Sequence, residues 1–426
     1  MKGKAALIEL LVTVSVAGSL AADWPWIYGP GRNSISDQKG VLRTWPKEGP
    51  KVLWTAPVGV GFGGPAVSGG KVYLLDRDEK VGDTLRVFDF STGKELWSFA
   101  YDSPGGFMFP GSRTTPTVEG DLVYTVGPLG DLHAISTSTR KPVWRKNIWK
   151  DFGAPGGDLP RWGIVQNPLV HGGLVIVAPQ APEATVVAYD KLTGELKWKS
   201  PVLSGGVGYV SPSIVKVDGA DPLVMTTASA GRGRNASGGS VNGLDPLSGK
   251  VLWTYSNWQC SIPVPHAVDA GEGRVLITGG YSAGAAMIKV LKQTDGSYAV
   301  TELFKNVDFG SHTQPPILYK DHFYSHYTIN ERSDGLLCMT MAGQVKWKTG
   351  EDPAFVRGGS ILADGLLLTT DGNTMLYVVE PDPSGFKPLA STVMLESGTN
   401  WAPLALVDGK LLIRDQKHLK CLVVAQ

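Results

Sequence analysis

The sequence predicts an all-β fold: an eight-bladed β-propeller of four-stranded blades, closed by pairing of its N- and C-terminal strands. Three observations predict it. A turn followed by a tryptophan strand recurs along the chain, short apolar runs separated by Gly, Asp and Asn fill the intervals, and the two ends hold complementary fractions of one blade. Self-similarity on this scale marks a repeat architecture.

The turn unit reads Thr92-Gly93-Lys94-Glu95-Leu96-Trp97, then Thr193-Gly194-Glu195-Leu196-Lys197-Trp198, Ser248-Gly249-Lys250-Val251-Leu252-Trp253 and Ala342-Gly343-Gln344-Val345-Lys346-Trp347. Thr139-Arg140-Lys141-Pro142-Val143-Trp144 keeps the Trp and loses the Gly. Asp295-Gly296 leading to Leu303-Phe304, and Pro383-Ser384-Gly385 leading to a strand around Val393-Met394-Leu395, are weaker copies. Eight blades require both weak copies to be blades; seven result if they are insertions. Anchors from Trp54 to Trp347 recur every 43 to 55 residues, a length suited to four short strands and their loops.

Within the first unit, Pro65-Ala66-Val67, Lys71 to Leu75, Leu85 to Asp89 and Glu95 to Phe99 alternate as strands do. The turn glycine supplies a positive φ. The tryptophans, placed in outer strands, fill the gaps between neighbouring blades. Trp54 precedes any complete unit, whereas Ala402 to Leu406, Lys410 to Arg414 and Leu419 to Val424 make three strands with no fourth. Pairing the orphan with the three closes the ring and removes two exposed sheet edges.

Composition narrows the function. The 426 residues carry a formal charge of +1 with 19% charged residues. No basic stripe stands out, so nucleic-acid binding is not expected. Lys2 and Lys4 precede a mostly apolar stretch from Ala5 to Ala17 in which Glu9 is the one charged residue, and Ser19-Leu20-Ala21-Ala22 supplies small residues for cleavage. Residues 1–22 therefore read as a signal peptide, 23–50 as an N-terminal extension and 51–426 as the propeller. The expected product is exported, periplasmic or secreted, monomeric, and without a transmembrane segment in its mature part. Cys260, Cys338 and Cys421 form no metal-binding spacing and read as small buried residues. The glycine-rich stretch Ser229 to Ser240, with Arg232 and Arg234, reads as a long hairpin loop of blade 4.

Segments leading into the innermost strands should gather around the central channel and form the functional face. They contribute Arg113, Arg161 and Arg357 as planar cations suited to carboxylates. Phe62, Trp162, Tyr209 and Trp401 are rings that could stack on a flat ligand, and Gln166, His312 and Asn400 add hydrogen bonds. This set suits an anionic aromatic ligand; polar lining of a water-filled channel is the plainer alternative. No Asp or Glu falls in these segments, and no Gly-x-Ser-x-Gly elbow occurs.

The unit Val187-Ala188-Tyr189-Asp190-x-x-Thr193-Gly194-x-x-x-Trp198 and the opening Asp23-Trp24-Pro25-Trp26-x-x-Gly29-Pro30-x-Arg32-Asn33 resemble the pyrroloquinoline-quinone-repeat propellers of exported bacterial proteins. The resemblance spans nearly all residues from Asp23 onward. It implies either a non-catalytic propeller that supports outer-membrane barrel assembly or a quinone-dependent alcohol dehydrogenase. Family dehydrogenases hold pyrroloquinoline quinone with calcium or a lanthanide, use an Asp as base and carry adjacent paired cysteines. This sequence has no Cys-Cys pair. The expectation is a non-catalytic propeller that binds a protein or small molecule at its loop faces and funnel, with the dehydrogenase as alternative. No cofactor is established by the residues, and pyrroloquinoline quinone is the one the resemblance allows.

Overall fold

The repeated turn folds from its own side chains. In the computed structural model the Asp89 carboxylate accepts hydrogen bonds from the backbone N–H groups of Ser91 and Thr92 and from the Thr92 hydroxyl. Asp190 does the same with Leu192 and Thr193. Gly93 and Gly194 then close these turns at a φ of 70°, a conformation that costs most other residues energy.

Beyond the turn, the pairing register slips by one residue just before the anchor in all eight blades. Such a bulge increases twist and turns one extra side chain outward. This explains why Leu53, Leu96, Val143 and Leu303, each next to an anchor, are exposed.

The anchor docks on the turn of the next blade. The indoles of Trp54, Trp144 and Trp198 lie over Gly93, Gly194 and Gly249, where an added Cβ would come within 2.4 to 2.6 Å of the ring. Their N–H groups donate to the carbonyls of Phe90, Lys191 and Pro246 at 2.9 to 3.2 Å. In these three joints turn and anchor recur together because the turn receives the previous blade's ring.

Eight sheets follow around the ring. Blade 1 is Ala66–Ser68, Lys71–Asp78, Gly82–Asp89 and Glu95–Ala100. Blade 8 is Ala405–Val407, Lys410–Arg414 and His418–Val423 with Val52–Pro57 as its outer strand, Trp54 opposite Cys421. Both weak units are blades, with outer strands Tyr298–Asn306 and Lys387–Val393. The second of these ends at Val393 instead of centring there, and Ala390, opposite Val378, takes the anchor's register position. Apolar clusters fill the gaps between successive blades.

The structure describes residues 23–426 apart from 156, 218, 232–235, 330, 331 and 397. The expected signal peptide, and Arg232 and Arg234 of the blade 4 loop, lie outside the described residues. No described helix is long and apolar enough to cross a membrane. Cys260, Cys338 and Cys421 are free and buried.

The N-terminal extension forms a strap along the inner strands. Trp24 exchanges backbone hydrogen bonds with Val67 of blade 1, and Val118 N–H of blade 2 donates to Pro25. Arg32 Nη2 donates to Val170 O of blade 3 at 2.8 Å. Ile35–Ser36 then adds a fifth, parallel strand to blade 7, and Gln38 accepts from Gly409 N–H of blade 8 at 2.8 Å.

Candidate functional site

The eight lead-in loops converge on a cavity of about 200 Å3 at the ring centre. Each loop sends one side chain from a matching position: Phe62, Arg113, Val165, Tyr209, Ile262, Thr313, Arg357 and Trp401. Two residues on, Thr115, Asn167, Ser211 and Val264 face the same space, as expected of extended backbone with its period of two. These inner positions also lace the blades together. Gly64 N–H donates to the Thr115 hydroxyl, Thr115 N–H to the Asn167 side chain, and Asn167 N–H to the Ser211 hydroxyl, at 2.7 to 2.9 Å. Ile27 and Tyr28 of the strap complete the lining.

The electrostatics are one-sided. Arg113 donates to the carbonyls of Trp162 and Phe109 and lies over the Phe62 ring; burial lowers its pKa to about 10, leaving it charged at neutral pH. Arg357 lies over Trp401, 4.7 Å from the ring centre. Its Nε and the indole N–H of Trp162 are both buried without an acceptor among the described residues. His312 shares a hydrogen bond with the Thr328 hydroxyl. Burial, helped by Arg357, pushes its pKa down to about 3, so it stays neutral. Among the described residues, no carboxylate lines the cavity.

Of the ten residues singled out from sequence, Phe62, Arg113, Trp162, Tyr209, His312, Arg357 and Trp401 line the cavity. Gln166 does not: it sits between the inward-facing Val165 and Asn167, and its amide donates to Gly208 O at 2.9 Å. Asn400, one residue before Trp401, is likewise turned into the wall and donates to the carbonyls of Asn373 and Glu396. Arg161 is exposed on the rim, its Nη2 3.7 Å from Met108 Sδ. The period-two alternation could have excluded Gln166 and Asn400. Phe109, Tyr281 and the strap residues Ile27 and Tyr28 also line the cavity. They come from outside the repeated lead-in pattern, so no sequence signal pointed to them.

A family model described as outer membrane protein assembly factor BamB matches residues 28–154 and 82–349. The glycerol dehydrogenase large subunit of Gluconobacter oxydans (strain 621H) is 26% identical over 215 residues, 45% of this chain and 27% of its own length. Quinoprotein alcohol dehydrogenase PedH of Pseudomonas putida is 25% identical over 173 residues, 40% of this chain and 27% of its own. The chain thus matches about a quarter of the length of these curated relatives. Among solved structures, quinohemoprotein alcohol dehydrogenase from Comamonas testosteroni superposes with a TM-score of 0.64 at 15% identity, covering 95% of this chain and 81% of that one. BamB from Moraxella catarrhalis gives 0.57 at 12% identity, covering 87% and 96%. These identities establish a shared fold and leave the chemistry to the site. With the family match extending across three quarters of the sequence and the turn-and-anchor repeat present around the ring, the chain belongs to the pyrroloquinoline-quinone-repeat family of β-propellers.

Proposed function

We propose that this chain is an exported, non-catalytic binding propeller whose funnel receives the anionic part of a ligand or protein partner. One observation carries the reading: Trp162 Nε1 and Arg357 Nε are buried at the cavity with no acceptor among the described residues. Both are donors only, and a buried unpaired donor costs about 1–3 kcal/mol. An incoming carboxylate removes that cost, and the charges of Arg113 and Arg357 favour it over a neutral carbonyl. Phe62, Tyr209 and Trp401 offer the flat apolar surface against which an aromatic body would lie. The basic and apolar start of the sequence, with the family's description, supports a periplasmic address and a protein partner.

The names of the curated relatives favour a second reading, a dehydrogenase dependent on pyrroloquinoline quinone. The donor set does not fit metal-assisted use of that quinone. A hard cation needs several oxygen ligands, usually with carboxylates among them. Among the described residues the cavity presents no carboxylate, and no group of three or more His, Cys, Asp or Glu among them could hold an ion.

Tryptophan fluorescence separates the two readings. The protein is titrated with pyrroloquinoline quinone and, separately, benzene-1,3,5-tricarboxylate, each with and without calcium. The binding reading expects saturable quenching by both anions, indifferent to calcium and weakened about tenfold or more in Arg357→Ala. Calcium-dependent quenching by the quinone alone, with alcohol-driven dye reduction, would establish the dehydrogenase. No quenching by either anion would move binding away from the funnel.

A further inference from the structure

At its funnel end, the joint between blades 1 and 2 contains a buried ionisable cluster that the binding reading leaves unused. Arg77 and Asp83 face each other across the second hairpin of blade 1, between Lys71–Asp78 and Gly82–Asp89, with no side-chain exposure, and Arg77 Nη1 donates to Asp83 Oδ2 at 2.5 Å. Gly127 of blade 2 covers the same carboxylate; a Cβ there would lie 2.6 Å from Asp83 Oδ2. Arg77 Nη2 reaches past the pair to the carbonyls of Ser103 and Gly105, at 2.6 and 2.9 Å.

Those two carbonyls start the loop that carries Phe107, Met108 and Phe109 to the funnel ahead of Arg113. Glu79 secures the next turn, its carboxylate accepting from Phe107 N–H at 3.0 Å. Phe109 lines the cavity and its carbonyl accepts from Arg113, while Met108 is 60% exposed.

We infer that the Arg77–Asp83 pair is a positioning clamp for this wall of the funnel, and that protonation of Asp83 releases it. Ionised Asp83 gives the buried guanidinium its counter-charge and holds Nη2 on the two carbonyls. Neutral Asp83 leaves a buried cation without one, a state that proteins relieve by rearranging or by admitting water. Asp83 Oδ1 and Arg77 Nε are unpartnered among the described residues, so the Nη1–Oδ2 bond is the one side-chain bond between the two charges.

Burial, opposed by Arg77, pushes the Asp83 carboxyl up to about 7, which places the release near neutrality. The other groups around it are Asp76, Tyr101 at the end of the same blade, and Asp131 and His133 from blade 2. Asp76 is bonded to Arg86. Asp131 accepts from the Ser103 hydroxyl at 2.5 Å and from the Asn147 amide at 3.0 Å. Burial raises Tyr101 well above its ordinary value, and it pushes His133, stacked on Tyr101 at 4.2 Å, down to about 4. Glu79 and Arg113 lie beyond the cluster, Arg113 feeling the charges of Arg77, Asp83 and Glu79. The clamp acts whether or not the funnel takes a ligand.

Methyl NMR of the whole protein labelled at methionine tests this, with Met108 assigned through Met108→Leu. From roughly pH 8.5 to 5.5 the Met108 signal should move toward its random-coil position, with its midpoint close to the Asp83 value. In Asp83→Asn it should sit at the low-pH position throughout, whereas Asp131→Asn should keep the transition. A Met108 signal that stays still in the unaltered protein overturns the clamp without any variant. A transition that survives in folded Asp83→Asn, or disappears in Asp131→Asn, assigns the change to another group and overturns it as well.

Discussion

The joint between blades 2 and 3 and the joint between blades 1 and 2 are made of the same strands in the same order, yet their interiors differ. At the first, Trp144 covers Gly194 and donates to Lys191 O, and Leu122, Tyr124, Val170 and Tyr189 complete a continuous apolar packing. At the second, blade 2 has Arg140 in place of the turn glycine, held at a φ of 59°. The apolar packing there gives way toward the funnel to Arg77, Asp83, Asp131 and His133. The joint between blades 2 and 3 keeps the repeat. The joint between blades 1 and 2 departs from it at the turn, and toward the funnel its interior holds ionisable groups.

The largest expected effect breaks the regular joint. Gly194→Val would drive a β-branched side chain into the Trp144 indole at a positive φ, and should cost about 3 kcal/mol or more in urea unfolding. Gly296→Ala, where an added Cβ meets nothing within 4 Å, should cost only the backbone penalty of about 1 kcal/mol. Equal losses at the two sites would mean that the anchor does not depend on its glycine.

A second, intermediate effect belongs to the polar joint. His133 has its pKa lowered to about 4 by burial, below the ~6.5 of an unfolded histidine. The unfolded chain therefore binds more protons between those values, and this contribution to stability is lost as pH falls through that window. His133→Phe, which keeps the ring stacked on Tyr101, should flatten the acid limb of the stability curve by on the order of 2 kcal/mol. Asp83, raised above its unfolded value, acts in the opposite sense: its contribution is present at low pH and lost as pH rises toward 7. An unchanged acid limb in His133→Phe would remove histidine from the account of this joint.

The smallest effect would make the two joints alike. Arg140→Gly relieves a left-handed arginine and should stabilise the fold by about 1 kcal/mol, read as a small rise in the thermal midpoint. A loss would show that the arginine side chain contributes more than its backbone strain takes away.

These contrasts also explain what could be read from the residues. Blade number and closure were legible because Asp, Thr-Gly and Trp act locally at each turn and across one joint, so the pattern repeats with the structure. The strap was not legible as such: Trp24 to Ser36 carries no alternation, and its path is set by inner-strand partners as distant as Val170 and Leu362. The funnel was legible to the level of its loops, since all eight precede an inner strand. Single residues within a loop were not, because Gln166 and Asn400 differ from their inward-facing neighbours only in the phase of the backbone.

The seam at blade 8 sets an order on how the molecule is made. Val52–Pro57 has no sheet to join until His418–Val423 exists, and Gln38 waits for Gly409, 371 residues later. A ribosome therefore releases seven consecutive hairpin stacks and an unpaired leading strand long before the circle can shut. Contacts this remote in sequence form slowly, and for that interval the leading strand is an open edge that any other strand could claim.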